Sequence, residues 1–132
     1  MAVLDDLIFS SKIREAAKTL SIDLEFIKNP NGLAEKIESE KPSLIIFDLN
    51  SKTFNPLQTI INLKSSPGLK NIPVIGYLSH VQTELKEEAV KSGCDLVLPR
   101  SRFSRELREI LIRYLTQPSG LGLSAPDRNT AF

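Results

Sequence analysis

Apolar positions along the chain follow two different periodicities. Five short segments are nearly continuous in apolar residues or alternate with period two, as β-strands do; five longer ones space apolar residues three and four positions apart, as amphipathic helices do. The predicted strands are residues 2–5, 22–27, 43–49, 72–78 and 95–99. The predicted helices are residues 7–20, 32–40, 55–66, 81–93 and 103–115.

Strand and helix therefore alternate, and this order predicts a parallel sheet with helices on both faces. Residues 43–49, 72–78 and 95–99 are the least polar strands, which is typical of strands covered on both faces. Ligands of such open sheets bind at the carboxyl ends of the strands. Polar residues that directly follow a strand are therefore the candidates for a functional site.

Every predicted strand except the second ends in, or is directly followed by, side chains that carry charge or hydrogen-bonding groups. They are Asp5 and Asp6, Asp48 and Asn50, Ser79 and His80, and Arg100. Carboxylates grouped in this way repel one another and favour a hard divalent cation, most simply Mg²⁺ completed by water. Two acids on a metal with a third that accepts a phosphoryl group would be consistent chemistry.

Each candidate residue could also have a purely structural role. Asp48 alone could cap the loop after its strand, and Asp5 and Asp6 could cap the following helix. A single histidine such as His80 is more often a loop residue than a ligand. Cys94, between a helix-ending glycine and a strand, is expected to be a small buried residue without a redox role.

Composition narrows the class of protein. The 132 residues suit one domain, predicted over 1–116, followed by a flexible tail over 117–132 that is rich in Gly, Pro and Ser. A net charge of +1 favours neither nucleic acid nor a membrane as partner. No apolar run is long enough to cross a membrane, and the first residues do not read as a signal peptide. The single cysteine suggests a reducing, cytoplasmic setting.

The strand–helix repeats, the acid pair, Asp48 after "LIIF" and the runs "IPVIGYLSH" and "GCDLVLPR" resemble the receiver domain of two-component response regulators over about residues 2–115. The resemblance implies a flavodoxin-like, doubly wound sheet of five parallel strands in the order 2-1-3-4-5. Two helices are expected on one face and three on the other.

The resemblance also implies a role for each site residue. Asp48 would be the phosphoacceptor. A histidine kinase or a phosphotransfer protein would supply the phosphoryl group. Weakly bound Mg²⁺ would be held by Asp5, Asp6, Asp48 and the backbone carbonyl of Asn50. Arg100 and Ser79 would stabilise the phosphoryl group.

Several positions depart from the receiver pattern. Leu78 stands where receivers carry Thr or Ser, and Ser79 could replace that hydroxyl only if the strand end bulges. Arg100 stands in place of a lysine whose compact ammonium it does not reproduce, and Ser101 follows it in place of a proline. Val97 occupies the place of the aromatic switch residue. The pattern is that of an atypical receiver or pseudo-receiver.

Arginines are concentrated in the last predicted helix. Residues 100–113 carry five arginines and two glutamates, a local charge of +3. The intervening acids and the nearly neutral chain disfavour nucleic acid and favour a solvated or protein-docking face. The resemblance makes helix 4, strand 5 and helix 5, with Arg102, Arg105 and Arg108, the surface for a downstream partner or a homodimer.

Three functions remain open. The first is a stand-alone receiver-like signalling module, and the second is an adaptor that works without phosphorylation. The third, a small enzyme on the same fold, is disfavoured because dinucleotide, cobalamin and haloacid-phosphatase motifs are all missing. The chain is therefore not expected to be an enzyme.

Overall fold

The computed structural model describes residues 1–80 and 82–116. Within them, five parallel strands form one sheet in the order β2-β1-β3-β4-β5, as predicted. The strands are β1 Ala2–Val3, β2 Phe26–Ile27, β3 Ile45–Asp48, β4 Val74–Leu78 and β5 Leu96–Pro99. The tail predicted for 117–132 lies outside the described residues.

Helices follow each strand in turn. They are α1 Leu7–Thr19, α2 Leu33–Glu40, α3 Pro56–Ser65, α4 Thr83–Ser92 and α5 Arg100–Leu111, and α5 continues into a π-helical turn, Ile112–Thr116. Pro56 opens α3, where a proline lacks only an N–H that would be unpaired in any case, and Gly93 ends α4 in a left-handed conformation (φ 111°).

The sheet separates two apolar cores, one on each face. Alternate strand residues such as Phe47 and Val97 pack with α2, α3 and α4, whereas Ile46 and Ile75 pack with α1 and α5. This is the expected division of three helices and two, and it follows from the period-two alternation of side chains along a strand. Because all five strands are parallel, the carboxyl ends of β1, β3, β4 and β5 lie side by side along one edge of the sheet, which we call the functional edge.

Most element boundaries differ from the sequence prediction by one or two residues, and the larger differences lie in β2 and α5. β2 is a two-residue edge strand, in register with β1 only at Phe26 and Ile27, and of the predicted segment before it the Glu25 carbonyl accepts a 2.8 Å hydrogen bond from the Ala2 N–H. α5 begins at Arg100 rather than at residue 103, directly after Pro99. The apolar pattern of this helix first appears at Phe103, so its polar first turn has no helical periodicity in the sequence. This first turn places Arg100 at the functional edge.

An ion pair holds the opposite edge of the sheet. Lys64 Nζ lies 2.9 Å from Asp95 Oδ2, and the same oxygen accepts a 2.8 Å hydrogen bond from the Val74 N–H. Both charged side chains are largely buried, at 17% and 16% exposed. The pair joins α3 to the starts of β4 and β5, opposite the carboxyl ends of the strands.

Candidate functional site

Asp48 is the last residue of β3 and one of the few buried polar side chains, at 5% exposed. Its Oδ1 accepts a 2.9 Å hydrogen bond from the Asn50 N–H. Burial raises the pKa of the Asp48 carboxyl above its ordinary value, and this effect exceeds the lowering by that hydrogen bond and by the charge of Arg100. The carboxylate is therefore held in a site that does not favour its charge, which is typical of functional acids.

The two acids after β1 lie at the same edge. Both raise the pKa of Asp48 further through their negative charge. Asp6 caps α1, because its Oδ1 accepts a 3.1 Å hydrogen bond from the Phe9 N–H. Asp5 is exposed, and its Oδ2 accepts a 2.6 Å hydrogen bond from Thr53 Oγ1. The capping interpretation is thus correct for Asp6, and it is compatible with a place in the site.

The oxygen donors are of the kind that Mg²⁺ binds, but they are not gathered into a cage. In the part of the chain that the structure describes, no three His, Cys, Asp or Glu side chains are grouped so that they could hold a metal ion. Asp5 is engaged by Thr53, and Asp6 by α1. The donor chemistry fits a hard cation whose shell is completed largely by water.

Arg100 supplies the positive charge of the site. Its Nη1 lies 3.7 Å from Asp6 Oδ2, and its guanidinium carbon lies 5.5 Å and 5.8 Å from the ring centres of Phe9 and Tyr77. A planar guanidinium can lie over aromatic rings in this way while it faces a carboxylate. Arg100 is therefore at the predicted edge, and it is packed on α1 and β4.

The end of β4 differs from what a phosphoryl-binding hydroxyl would need. Leu78 is fully buried in the core beneath α2, α3 and α4. Ser79 is exposed; its N–H donates to Asn50 Oδ1 at 2.7 Å, and its hydroxyl lies 3.2 Å from His80 Nδ1. Ser79 thus lies at the functional edge, and its hydroxyl contacts the neighbouring imidazole.

Tyr77 was not singled out by the sequence, although it is the register partner of Asp48 on the adjacent strand. It is fully buried, and its ring centre lies 4.7 Å from that of Phe9 and 5.2 Å from that of Phe103. Burial raises the pKa of the Tyr77 phenol, and the charge of Asp48 adds to the shift. The sheet therefore places an aromatic residue beside this site on β4, whereas Val97 on β5 is a buried aliphatic residue. The sequence feature that could have pointed to Tyr77 is that it is an aromatic residue within an otherwise aliphatic strand.

Gly76 allows the loop after Asp48 to close on the sheet. A Cβ at this position would lie 2.7–2.9 Å from three side-chain atoms of Leu49. We expect Gly76→Ala to displace Leu49 and to lower the free energy of unfolding by about 1–2 kcal/mol, the lower part of the usual range for overpacking. Urea denaturation measures this. Gly68→Ala is the matched control, since nothing lies within 4 Å of its Cβ; equal effects of the two substitutions would contradict the assignment.

The predicted partner residues lie on α5. Arg102 Nε makes a 2.6 Å hydrogen bond with Glu106 Oε2, and Arg105 and Arg108 are exposed. Part of the local positive charge is therefore neutralised within the helix. Cys94 is buried as expected, and burial raises the pKa of its thiol to about 12.

A parallel sheet in the order 2-1-3-4-5, with a buried aspartate at the end of β3, two acids after β1 and an arginine after β5, is the arrangement that the resemblance to receiver domains implies. The chain is 35% identical over 75 residues to "Response regulator Rcp1" of Synechocystis sp., a match that spans 50% of this chain and 51% of that protein. No family model matches the chain.

Solved structures of response regulators have the same fold. The Mn²⁺-bound form of response regulator Rcp1 superposes with a TM-score of 0.69 at 23% identity, over 95% of this chain and 96% of the other. The phosphorylated cyanobacterial phytochrome response regulator RcpA superposes with a TM-score of 0.73 at 19% identity, over 89% and 94%. The resemblance to receiver domains is therefore confirmed in fold and, over about half of the chain, in sequence. The match in sequence spans about half the length of the curated relative.

Among the described residues, no helix combines the length and the apolar character that crossing a membrane requires.

Proposed function

We propose that this chain is a receiver-type signalling module that accepts a phosphoryl group on Asp48. The observation that carries the proposal is the buried carboxylate of Asp48. Burial raises its pKa, and the positive charge of Arg100 acts on it in the opposite direction. A desolvated carboxylate beside a cation is suited to attack an electrophilic phosphorus atom. The similarity to response regulators in fold and, over half of the chain, in sequence supports the same function.

The transfer itself is a displacement at phosphorus. An oxygen of Asp48 bonds to the phosphorus of the donor, and the donor's own bond to phosphorus breaks, so the leaving group departs with the electron pair. Acetyl phosphate would leave as acetate, and a phosphohistidine of a kinase or phosphotransfer protein would leave as imidazole. Arg100 would offset the negative charge that gathers on the phosphoryl oxygens.

A divalent cation, which we propose to be Mg²⁺, would bind weakly through Asp6, Asp48 and the Asn50 carbonyl, with Asp5 assisting. When bound, it would neutralise charge on the phosphoryl group. The Mn²⁺-bound form of Rcp1 supports a divalent site in proteins of this fold. In this chain, Asp5 would have to leave Thr53, and Asp6 would keep one oxygen on the α1 N-terminus. Both requirements favour weak binding.

The output would pass through protein contacts, with no catalytic activity of the domain on a further substrate. We propose the α4–β5–α5 face, with Arg102, Arg105 and Arg108, for a downstream partner or a second copy, and a cytoplasmic setting. The adaptor function remains the second candidate, because Leu78 is buried and carries no hydroxyl. That feature predicts slow or weak modification.

Treatment with acetyl phosphate and Mg²⁺ tests the proposal. Intact-mass measurement should find one added phosphoryl group on a fraction of the wild-type chains and none on Asp48→Ala. Asp23→Ala is the matched control, because Asp23 is an exposed aspartate on the segment before β2, and it should be modified like the wild type. Equal modification of wild type and Asp48→Ala would place the acceptor elsewhere.

A further inference from the structure

Asn50 joins the Asp48 carboxylate to the start of α4 by three hydrogen bonds. Its N–H donates to Asp48 Oδ1 at 2.9 Å, and its side-chain Oδ1 accepts from the Ser79 N–H at 2.7 Å. Its Nδ2 donates to Gln82 Oε1 at 3.0 Å. Gln82 is the N-cap residue of α4. A continuous chain of hydrogen bonds therefore runs from the site, across the end of β4, to this helix.

The chemistry of the partners fixes the orientation of this amide. A backbone N–H can only donate, so the atom of Asn50 that faces Ser79 must be the oxygen. The other end of the amide is then a donor, and it meets the carbonyl oxygen of Gln82. The Gln82 side chain makes no capping bond to α4, and its Oε1 accepts from Asn50 instead.

We propose that the Asn50 side chain is a positioning element that transmits a change at Asp48 to Ser79 and Gln82. In the cell the change would be phosphorylation of Asp48, so this role rests on the proposed function. The transfer would make one carboxylate oxygen the bridging oxygen of an acyl phosphate and would enlarge the group. Whichever oxygen forms the new bond, Oδ1 loses its share of the carboxylate charge, so the hydrogen bond from the Asn50 N–H should weaken. Because the same residue holds Ser79 and Gln82, both follow its movement. The link does not need a hydroxyl at position 78.

Amide NMR signals of Ser79 and of residue 82 test the link without any phosphoryl donor. We expect Asp48→Ala to shift both signals in the wild-type background. In an Asn50→Ala background, the same substitution should shift them by less than about half as much, since residues that share one hydrogen-bonded network are not additive. Gln82→Ala, at a partly exposed position, should lose the effect at residue 82 and keep it at Ser79.

Gln58→Ala is the matched control, because it removes another amide–amide hydrogen bond, of 3.0 Å to Asn62, on the exposed side of α3. It should leave both shifts intact. Equal shifts with and without Asn50, or no shift in the wild-type background, would overturn the link. Failure of acetyl phosphate to modify Asp48 would count against the proposed function alone, because the shifts caused by Asp48→Ala do not depend on it.

Discussion

Asp48→Asn is expected to stabilise the domain at neutral pH by about 0.5–2 kcal/mol, the range of common stabilising substitutions. Burial raises the pKa of Asp48, so the folded state disfavours its charged form. Asparagine keeps an oxygen that can accept the hydrogen bond from the Asn50 N–H and has no charge to desolvate. Thermal or urea denaturation, in the presence of a chelator, measures the difference.

The sign of the pH dependence follows from the direction of the shift. Below the ordinary aspartate pKa of about 3.9, Asp48 is protonated in both states and contributes no difference. As the pH rises through that value, the unfolded chain loses its proton first, and the folded state is progressively destabilised until its own raised pKa is passed. The advantage of Asp48→Asn should therefore be absent in acid, grow between the two pKa values and stay constant above them.

Asp23→Asn serves as control, since Asp23 is exposed and surface substitutions usually change stability by less than about 0.5 kcal/mol. Added Mg²⁺ should raise the melting temperature of the wild type more than that of Asp48→Asn, because a ligand stabilises the state that binds it. A variant less stable than the wild type at neutral pH would contradict the view that Asp48 is an electrostatically unfavourable functional acid.

Much of this architecture was predictable because it depends on local periodicity. Strands such as residues 72–78 are continuous apolar runs, and strict alternation with helices permits few topologies. Because parallel strands end at the same side of a sheet, the sequence also predicts that Asp48, Asp6 and Arg100 lie near one another. Sequence also located the buried Cys94, because a small apolar-like residue next to a covered strand has few other places to lie.

The parts that could not be predicted depend on contacts between distant segments. Nothing in the sequence around Asn50 indicates that its amide would bond to Gln82, which lies 32 positions later. The start of α5 at Arg100 was missed because the first turn faces the polar edge of the sheet and so lacks the apolar period. Tyr77 was passed over because an aromatic residue in a buried strand ordinarily signals only core packing.

Leu78→Thr is expected to strengthen the binding of a phosphoryl mimic such as beryllofluoride about tenfold or more. A hydrogen bond to a charged group contributes roughly 1.5–3 kcal/mol, and about 1.4 kcal/mol corresponds to a factor of ten. The same substitution should destabilise the domain by about 2–3 kcal/mol, because Leu78 is fully buried in an apolar core. Fluorine NMR or amide shifts give the affinity, and urea denaturation gives the stability.

Leu78→Val separates the two effects. Valine has the shape of threonine without its hydroxyl, so it should produce a similar cavity beside α2, α3 and α4 and no gain in affinity. Threonine binding the mimic about tenfold more tightly than valine would show that a hydroxyl at position 78 reaches the group on Asp48. Equal affinity would mean that the side chain points only into the core, as Leu78 does in the native chain. If neither the wild type nor Leu78→Thr binds the mimic or accepts a phosphoryl group, the adaptor function is to be preferred.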